Sequence, residues 1–501
     1  MLPLPQLRQL DGVLVGRIDF NRTAPSHEYL VGAAKSLRGT LRARLLPDVI
    51  DLADISIDPA RTAHVALAHL AAEHSFGSPA SLPVPKPKVD AGFRTYTFVP
   101  PLGEVIWKAA TTDLAHAVNQ LQRPSVLSGR LKRTGPAWLL RPLGETFAER
   151  RRLVSLSAPK YKLALISDME SFYESIQLAR LWAATSKIGP SGEAARRLAP
   201  LAHWQKEGLT GLPIGPDTSE VYGSYILNPL DIALEHNGYD SIRLMDDLVV
   251  WLHDGDEPRA RLTIDTAVAP WDITRSEAKT ILLPADQVEE YLTNAAIEYH
   301  TGGAGGIDRP TATRMFHDAI EEGENVDFNA LAYSISWFAD QCDAYPVAVL
   351  TSRPELLGHI PKQLYRLVRG LAKEKRRDAH RFFSLVAGAN QTESTATTYL
   401  VQVGLARATW GVAEGMAVVQ HLASSVPTLR AAALRLQSRT PILGLDEVVV
   451  RALVGEDIES RGAAVALHGL RDRMGINTAA LHIRCLRPAR TLETLWATGA
   501  A

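Results

Sequence analysis

The segment Ser241-Ile-Arg-Leu-Met-Asp-Asp-Leu-Val-Val-Trp-Leu252 constrains the fold most tightly, because it sets two bare carboxylates between two apolar runs. Large apolar and β-branched residues on both sides of a polar pair predict a β-hairpin with Asp246 and Asp247 at its tip. Adjacent carboxylates repel each other, so fixing both beside an apolar hairpin calls for a cation, unless the pair is an ordinary Asp-Asp turn. A third Asp upstream weighs for the cation. Leu163-Ala-Leu-Ile-Ser167 reads as a short buried strand that ends at Asp168, with Phe172 and Tyr173 in the following turn.

A chain of 501 residues is too long for one core, so two or three domains are expected. With 46% hydrophobic and 22% charged residues, the composition is that of a globular protein. Lys+Arg (54) and Asp+Glu (55) balance, so any surface that attracts nucleic acid must be local. Cys342 and Cys485 match no zinc spacing and fit a reducing cytoplasm. The N-terminus lacks a basic-then-apolar leader and no apolar run reaches membrane length. A cytoplasmic protein with no membrane partner is expected.

Along the chain, Ala33–Leu46 and Asp58–His74 have helical periodicity. Pro83, Pro85 and Pro87 then break any helix, and the stretch from Lys86 to Pro101 reads as a loop and a strand carrying Lys88 and Arg94. Residues 123–162 are strongly basic, with Trp138 and Phe147 interleaved, as on surfaces that track a phosphate backbone or on a merely solvated face. Gly211-Leu-Pro-Ile-Gly-Pro-Asp-Thr-Ser-Glu220 punctuates the start of a helix that stops near Asn237-Gly238, with Asp217 and Glu220 in capping-box spacing. Arg259–Val268 is helical, and Lys279 immediately precedes an apolar strand. Thr301-Gly-Gly-Ala-Gly-Gly306 is a flexible joint, dividing residues 1–305 from 306–501. Beyond it the pattern is almost all helix. Val426–Leu436 is similar to Ile458–Leu467, a spacing suggestive of HEAT-type helical hairpins, and Lys362–Arg381 forms a second basic run.

The ordered motifs resemble those of reverse transcriptases. Asp168-Met-Glu-Ser-Phe-Tyr-Glu-Ser-Ile resembles the family's first catalytic motif, and Gly211-Leu-Pro-Ile-Gly-Pro-Asp-Thr-Ser its Pro-Gln-Gly motif. Leu244-Met-Asp-Asp resembles its aromatic-x-Asp-Asp box, Ser276-Glu-Ala-Lys-Thr its downstream lysine motif, and Lys86–Pro101 its basic fingers strands. The resemblance implies an α+β fold: a fingers and palm region (antiparallel sheet with helices) followed by an all-α HEAT-like domain. It implies two Mg²⁺ ions (or Mn²⁺) held by Asp168, Asp246 and Asp247, and Lys279 near the leaving pyrophosphate. A dNTP would be bound by Lys88, Arg94, Phe172, Tyr173 and Gly215, with the Tyr173 ring under the sugar favouring dNTPs. Leu244 and Ile214 depart from the family's aromatic and Gln, positions that touch primer, nucleotide and template.

The helical C-terminal half resembles prokaryotic abortive-infection and related defence-associated reverse transcriptases. Some of these add dNTPs without a template, start from a tyrosine of their own chain and assemble as homo-oligomers. Tyr29, Tyr365 and Tyr399 are candidate priming tyrosines. Three functions therefore stand open: an untemplated, protein-primed DNA polymerase in anti-phage defence, a retron-like enzyme copying a partner RNA, and a nucleic-acid-binding scaffold with an inactive palm.

Overall fold

The computed structural model describes residues 25–40, 59–73, 82–87, 93–99, 101–186, 188, 193–206, 209–292, 308–321, 326–353, 356 and 360–374. The chain forms two compact units, one of residues 1–43, 59–82 and 97–302, the other of 44–58, 83–96 and 303–501. The architecture is α+β, with helices predominating and small antiparallel sheets.

Helix α1 (His27–Thr40) packs on α2 (Pro59–Glu73), and Leu30, Ala33, Ala34 and Leu37 supply its buried stripe. Strands β1 (Leu82–Pro87) and β2 (Phe93–Phe98) make a two-stranded sheet. The Pro83–Pro87 stretch is thus not helical, as its prolines require, and is extended. Proline cannot donate to a ladder, but its fixed φ suits a strand that has a free edge. Helices α3 (Pro101–Ala110) and α4 (Thr112–Leu121) follow, and then the short hairpin of β3 (Leu131–Arg133) and β4 (Leu139–Leu140). Helix α5 (Leu143–Ser157) leads to β5 (Leu163–Ser167), the strand expected before Asp168.

Next come α6 (Phe172–Ser175), α7 (Leu178–Thr185), α8 (Glu193–Lys206) and α9 (Asp217–His236), which ends at Gly238 with φ +80°. The hairpin of β6 (Ser241–Leu244) and β7 (Asp247–Leu252) forms as the apolar pattern predicts. Helix α10 (Glu257–Val268), β8 (Ile281–Pro284) and α11 (Val288–Leu292) complete the described part of the first unit.

The sheet that positions the site has antiparallel order β6-β7-β5-β8. β7 runs beside β5 with Ala164 opposite Trp251 and Ser167 opposite Leu248. Because side chains alternate along a strand, Ala164, Ile166, Ile242, Leu244, Val249 and Trp251 share one face. That face buries against Val154 of α5 and Val288 of α11. The opposite face holds the buried Leu165, Leu248 and Val250. There Arg243, paired with Leu248 in the ladder, reaches Asp231 on α9.

Beyond residue 303, in the second unit, the described elements are α12 (Arg309–Glu321), α13 (Phe328–Asp340), α14 (Tyr345–Ser352) and α15 (Pro361–Glu374). α13 packs against both α12 and α15. Gly370 permits the second contact, since a Cβ there would lie 2.5 Å from the Ala339 carbonyl oxygen. The similar segments around Arg430 and Arg461 lie outside the described residues, as does much of the 362–381 basic run. No helix among the described residues is long and apolar enough to cross a membrane.

Candidate functional site at the β5 end and the β6–β7 turn

Asp168 leaves the end of β5 and is fixed by its own backbone. Its carbonyl accepts the Ser276 N–H at 2.8 Å, and the Glu170 N–H donates to the Thr274 carbonyl at 2.9 Å. Residues 274–276 therefore run antiparallel beside 168–170, with Met169 bridged to Arg275. Ser167 and Thr280 hydroxyls stand 3.1 Å apart beneath this crossing. The result brings Lys279, distant in sequence, to Asp168: its Nζ donates to Oδ2 at 2.5 Å. The Asp168 side chain is 13% exposed and the Lys279 side chain 55%.

The hairpin turn brings the other carboxylates. Met245 has φ +57°, a left-handed conformation that costs a non-glycine residue about 1–2 kcal/mol. Burying one Val or Leu of the flanking strands contributes about 1.5–3 kcal/mol, so the sheet readily holds this turn. Both sides of the Met245 peptide are pinned. Its N–H donates to Ser128 Oγ at 2.8 Å, and its carbonyl accepts from Arg243 Nη1 at 2.9 Å. Arg243 is in turn locked by two bonds to Asp231, of 2.7 and 2.6 Å, with both side chains almost fully buried.

Asp246, in that turn, lies within hydrogen-bonding reach of the Asp168 carboxyl. Burial, then the nearby Asp168 and Asp247 charges, push the Asp246 carboxyl up to about 7. Asp247 begins β7 and is 55% exposed, with Arg150 Nη1 4.0 Å from its Oδ2. Among the described residues no three Asp, Glu, His or Cys side chains form a ready-made cage for one ion. What the fold provides is a close pair of carboxylates, flanked by a third. Two facing carboxylate groups, half-buried, are hard oxygen donors of the kind that suits Mg²⁺ or Mn²⁺.

The aromatic pair separates. Phe172 is 2% exposed and packs on Gly223 of α9, where a Cβ would come within 3.0 Å of its ring. Tyr173 is half-buried, its ring edge-on to Phe172 and its hydroxyl 3.8 Å from Met245 Sδ. The Gly211–Pro216 loop is tied to the same turn. Leu212 N–H donates to the Tyr173 carbonyl at 2.8 Å, and Gly211, at φ +67°, has no room for a Cβ beside that oxygen. Gly215 is exposed, with φ +130°. Its neighbour Ile214 accepts the Thr97 N–H at 2.9 Å. Lys88 and the Arg94 side chain lie outside the described residues.

Asp217 and Glu220 do not form the expected capping box. Pro216 is the N-cap, with no side-chain cap. Asp217 instead pairs at 3.2 Å with the buried Lys108, which lies over the Trp138 ring, and Glu220 accepts the Gly129 N–H at 2.7 Å. The basic 123–162 run is largely engaged within the protein. Arg123 pairs with Glu235, Lys132 with Glu145, Arg152 with Glu149 and Lys162 with Asp254, while Arg130 donates to backbone carbonyls. Arg150, Asp231 and Ser128 support the site without belonging to any local motif, and Arg243, inside the hairpin segment, was not marked out by it. Arg150 falls in a basic run, but nothing in that run marks it out from its neighbours. No family model matches this sequence, and no curated protein matches it either.

Proposed function

We propose that this protein is a nucleotidyltransferase of reverse-transcriptase type, a DNA polymerase that adds dNTPs with the aid of divalent cations. The observation that carries the reading is the meeting of Asp168 and Asp246, far apart in sequence, at the end of an antiparallel sheet, with Lys279 on the first of them. Asp168 and Asp246 would hold the ions, and Asp247 would serve as an auxiliary carboxylate. When bound, such ions lower the pKa of the attacking hydroxyl and neutralise charge on the leaving pyrophosphate. Within the chain, Lys279 supplies an ammonium that can turn from Asp168 to the departing phosphates and donate a proton. Tyr173 presents a ring at the sugar and so disfavours a ribose 2′-OH, while Lys88 and Arg94 hold the triphosphate. The finer reading draws on the resemblance. It comprises a fingers-and-palm unit joined to a HEAT-like helical one, a cytoplasmic homo-oligomer, and untemplated, protein-primed synthesis in anti-phage defence.

The test is incubation of the pure protein with labelled dNTPs and Mg²⁺ or Mn²⁺, beside Asp246→Asn. Labelled DNA or labelled protein from the wild type and none from the variant is the expected result. No label in either, with or without a template, ends the enzyme reading. An inactive scaffold has one observation in its favour, because the Lys279 ammonium already answers the Asp168 charge. Bound, unextended nucleic acid on a protein without polymerase activity would establish it. A product of fixed sequence matching a partner RNA would mark templated copying instead.

A further inference from the structure

We infer that Ser128 is a positioning residue: its side-chain oxygen holds Met245 in the left-handed turn that aims Asp246 at Asp168, and so sets how tightly the carboxylate pair takes a divalent ion. This rests on the proposed nucleotidyltransferase reading of the same pair.

Two peptides flank Met245, and the direction in which the chain enters Asp246 depends on both. The first carries the Met245 N–H, which donates to Ser128 Oγ at 2.8 Å. The second carries the Met245 carbonyl, which accepts from Arg243 Nη1 at 2.9 Å. With both held, Met245 stays at φ +57°. A non-glycine residue keeps that conformation only where its surroundings over-determine it. Ser128 reaches the turn from a separate segment, and that segment is itself fixed from several sides. The Arg243 N–H donates to the Ser125 carbonyl at 3.0 Å and the Leu127 N–H to the Arg243 carbonyl at 2.8 Å, so residues 125–127 run parallel along β6. Gln122 Nε2 donates to the Ser128 carbonyl at 2.7 Å, and Glu220 of α9 accepts the Gly129 N–H at 2.7 Å. The Ser224 hydroxyl of α9 stands 3.4 Å from Ser128 Oγ. Gly129, at φ +68°, leaves no room for a Cβ, which would lie 2.5 Å from Ser224 Oγ. Ser128, fully buried, is therefore placed firmly enough to impose a conformation on the turn. Without its oxygen the Met245 N–H would lose its acceptor. Rotating that peptide would relieve both the lost bond and the left-handed φ, and would swing Asp246 away from Asp168. Glycine at position 245 would remove half of that incentive, because glycine occupies positive φ without steric cost.

The test is calorimetric titration of Mn²⁺ into full-length wild type, S128A, M245G, the S128A/M245G double variant and D246N. S128A is expected to bind Mn²⁺ roughly five- to thirtyfold more weakly, the range that corresponds to one buried hydrogen bond lost. In the M245G background the same substitution should cost no more than about threefold, because the turn no longer needs the bond to stay left-handed. A role confined to packing the 125–129 segment would weaken binding by the same factor in both backgrounds. Unchanged binding by S128A, or equal losses with and without M245G, overturns the inference. Should S128A fail to fold, S128C takes its place, since sulfur is a weak acceptor. D246N separates the two layers: if it binds Mn²⁺ as well as wild type does, the nucleotidyltransferase reading itself falls. If it loses binding while S128A is unchanged, only the role of Ser128 is lost.

Discussion

Glu220 carries its charge at an energetic disadvantage. Burial is the main cause, the Asp217 charge adds to it, and the Gly129 N–H only partly offsets them, so its carboxyl is pushed from the ordinary 4.5 to about 7. The sign follows from linkage. Above pH 7 the group is ionised in both the folded and the unfolded chain, and the folded state bears the full penalty. As the pH falls from 7 to 4.5 the folded state takes up the proton first and the penalty vanishes. A shift of this size corresponds to at most about 3 kcal/mol. Glu220→Gln keeps an acceptor for Gly129 and removes the charge, so it should be the more stable protein at pH 8 in urea unfolding. Its advantage should shrink to nothing near pH 4.5. An advantage of equal size at both pH values would mean that ionisation is not the cause. The same linkage shows why sequence spacing misleads here. Asp217 and Glu220 stand where a capping box would need them, yet long-range partners, Lys108 and the Gly129 amide, claim both.

Among the elements, the β6–β7 hairpin depends on a buried ion pair. Arg243 and Asp231 are almost wholly excluded from solvent, and Arg243 also binds the carbonyl of the residue just before Asp246. Removing one partner of such a pair leaves a charge buried alone, which typically costs about 3–5 kcal/mol. Asp231→Asn should therefore lower the urea midpoint sharply, whereas the joint R243M/D231L replacement should recover most of the loss. If the double variant also fails to bind Mn²⁺ although stable, the pair serves the turn as well as the core. Stability and binding both restored would confine its role to packing. The hairpin itself was legible in the sequence, because large apolar and β-branched runs on both sides of a polar pair admit few other folds, and β5 ending at Asp168 was legible as another short apolar run. The supports were not. Ser128, Arg150 and Asp231 reach the turn from separate elements, and no local period records which face of a helix will meet a distant strand. At Pro83–Pro87 the prolines excluded a helix but did not reveal the strand, since proline rules out the middle of a sheet and tolerates its edge.

For the molecule as a whole, charge decides how nucleic acid can be held. Its 54 basic and 55 acidic residues leave a formal net charge of −1, so no long-range field draws a polyanion in. The one strongly basic stretch of the first unit is largely paired, though at the surface: Arg123, Lys132, Arg152 and Lys162 answer carboxylates of the chain, and Arg130 answers its carbonyls. A phosphate backbone would have to displace those partners or find cations elsewhere. Affinity for a labelled single-stranded oligonucleotide, measured against salt, should therefore fall with a shallow slope. Each phosphate neutralised on a single strand contributes about −0.7 to that slope, so a handful of contacts gives roughly −2 to −4. A slope steeper than about −6 would require an extended cationic channel, which the pairing of the 123–162 run argues against. The shallow slope also bears on the choice between functions. An enzyme that must track a long template needs such a channel along the duplex, whereas one that extends a short or self-attached primer needs cations only at the growing end. The pairing of these arginines and lysines with the chain's own carboxylates therefore favours local engagement of the primer.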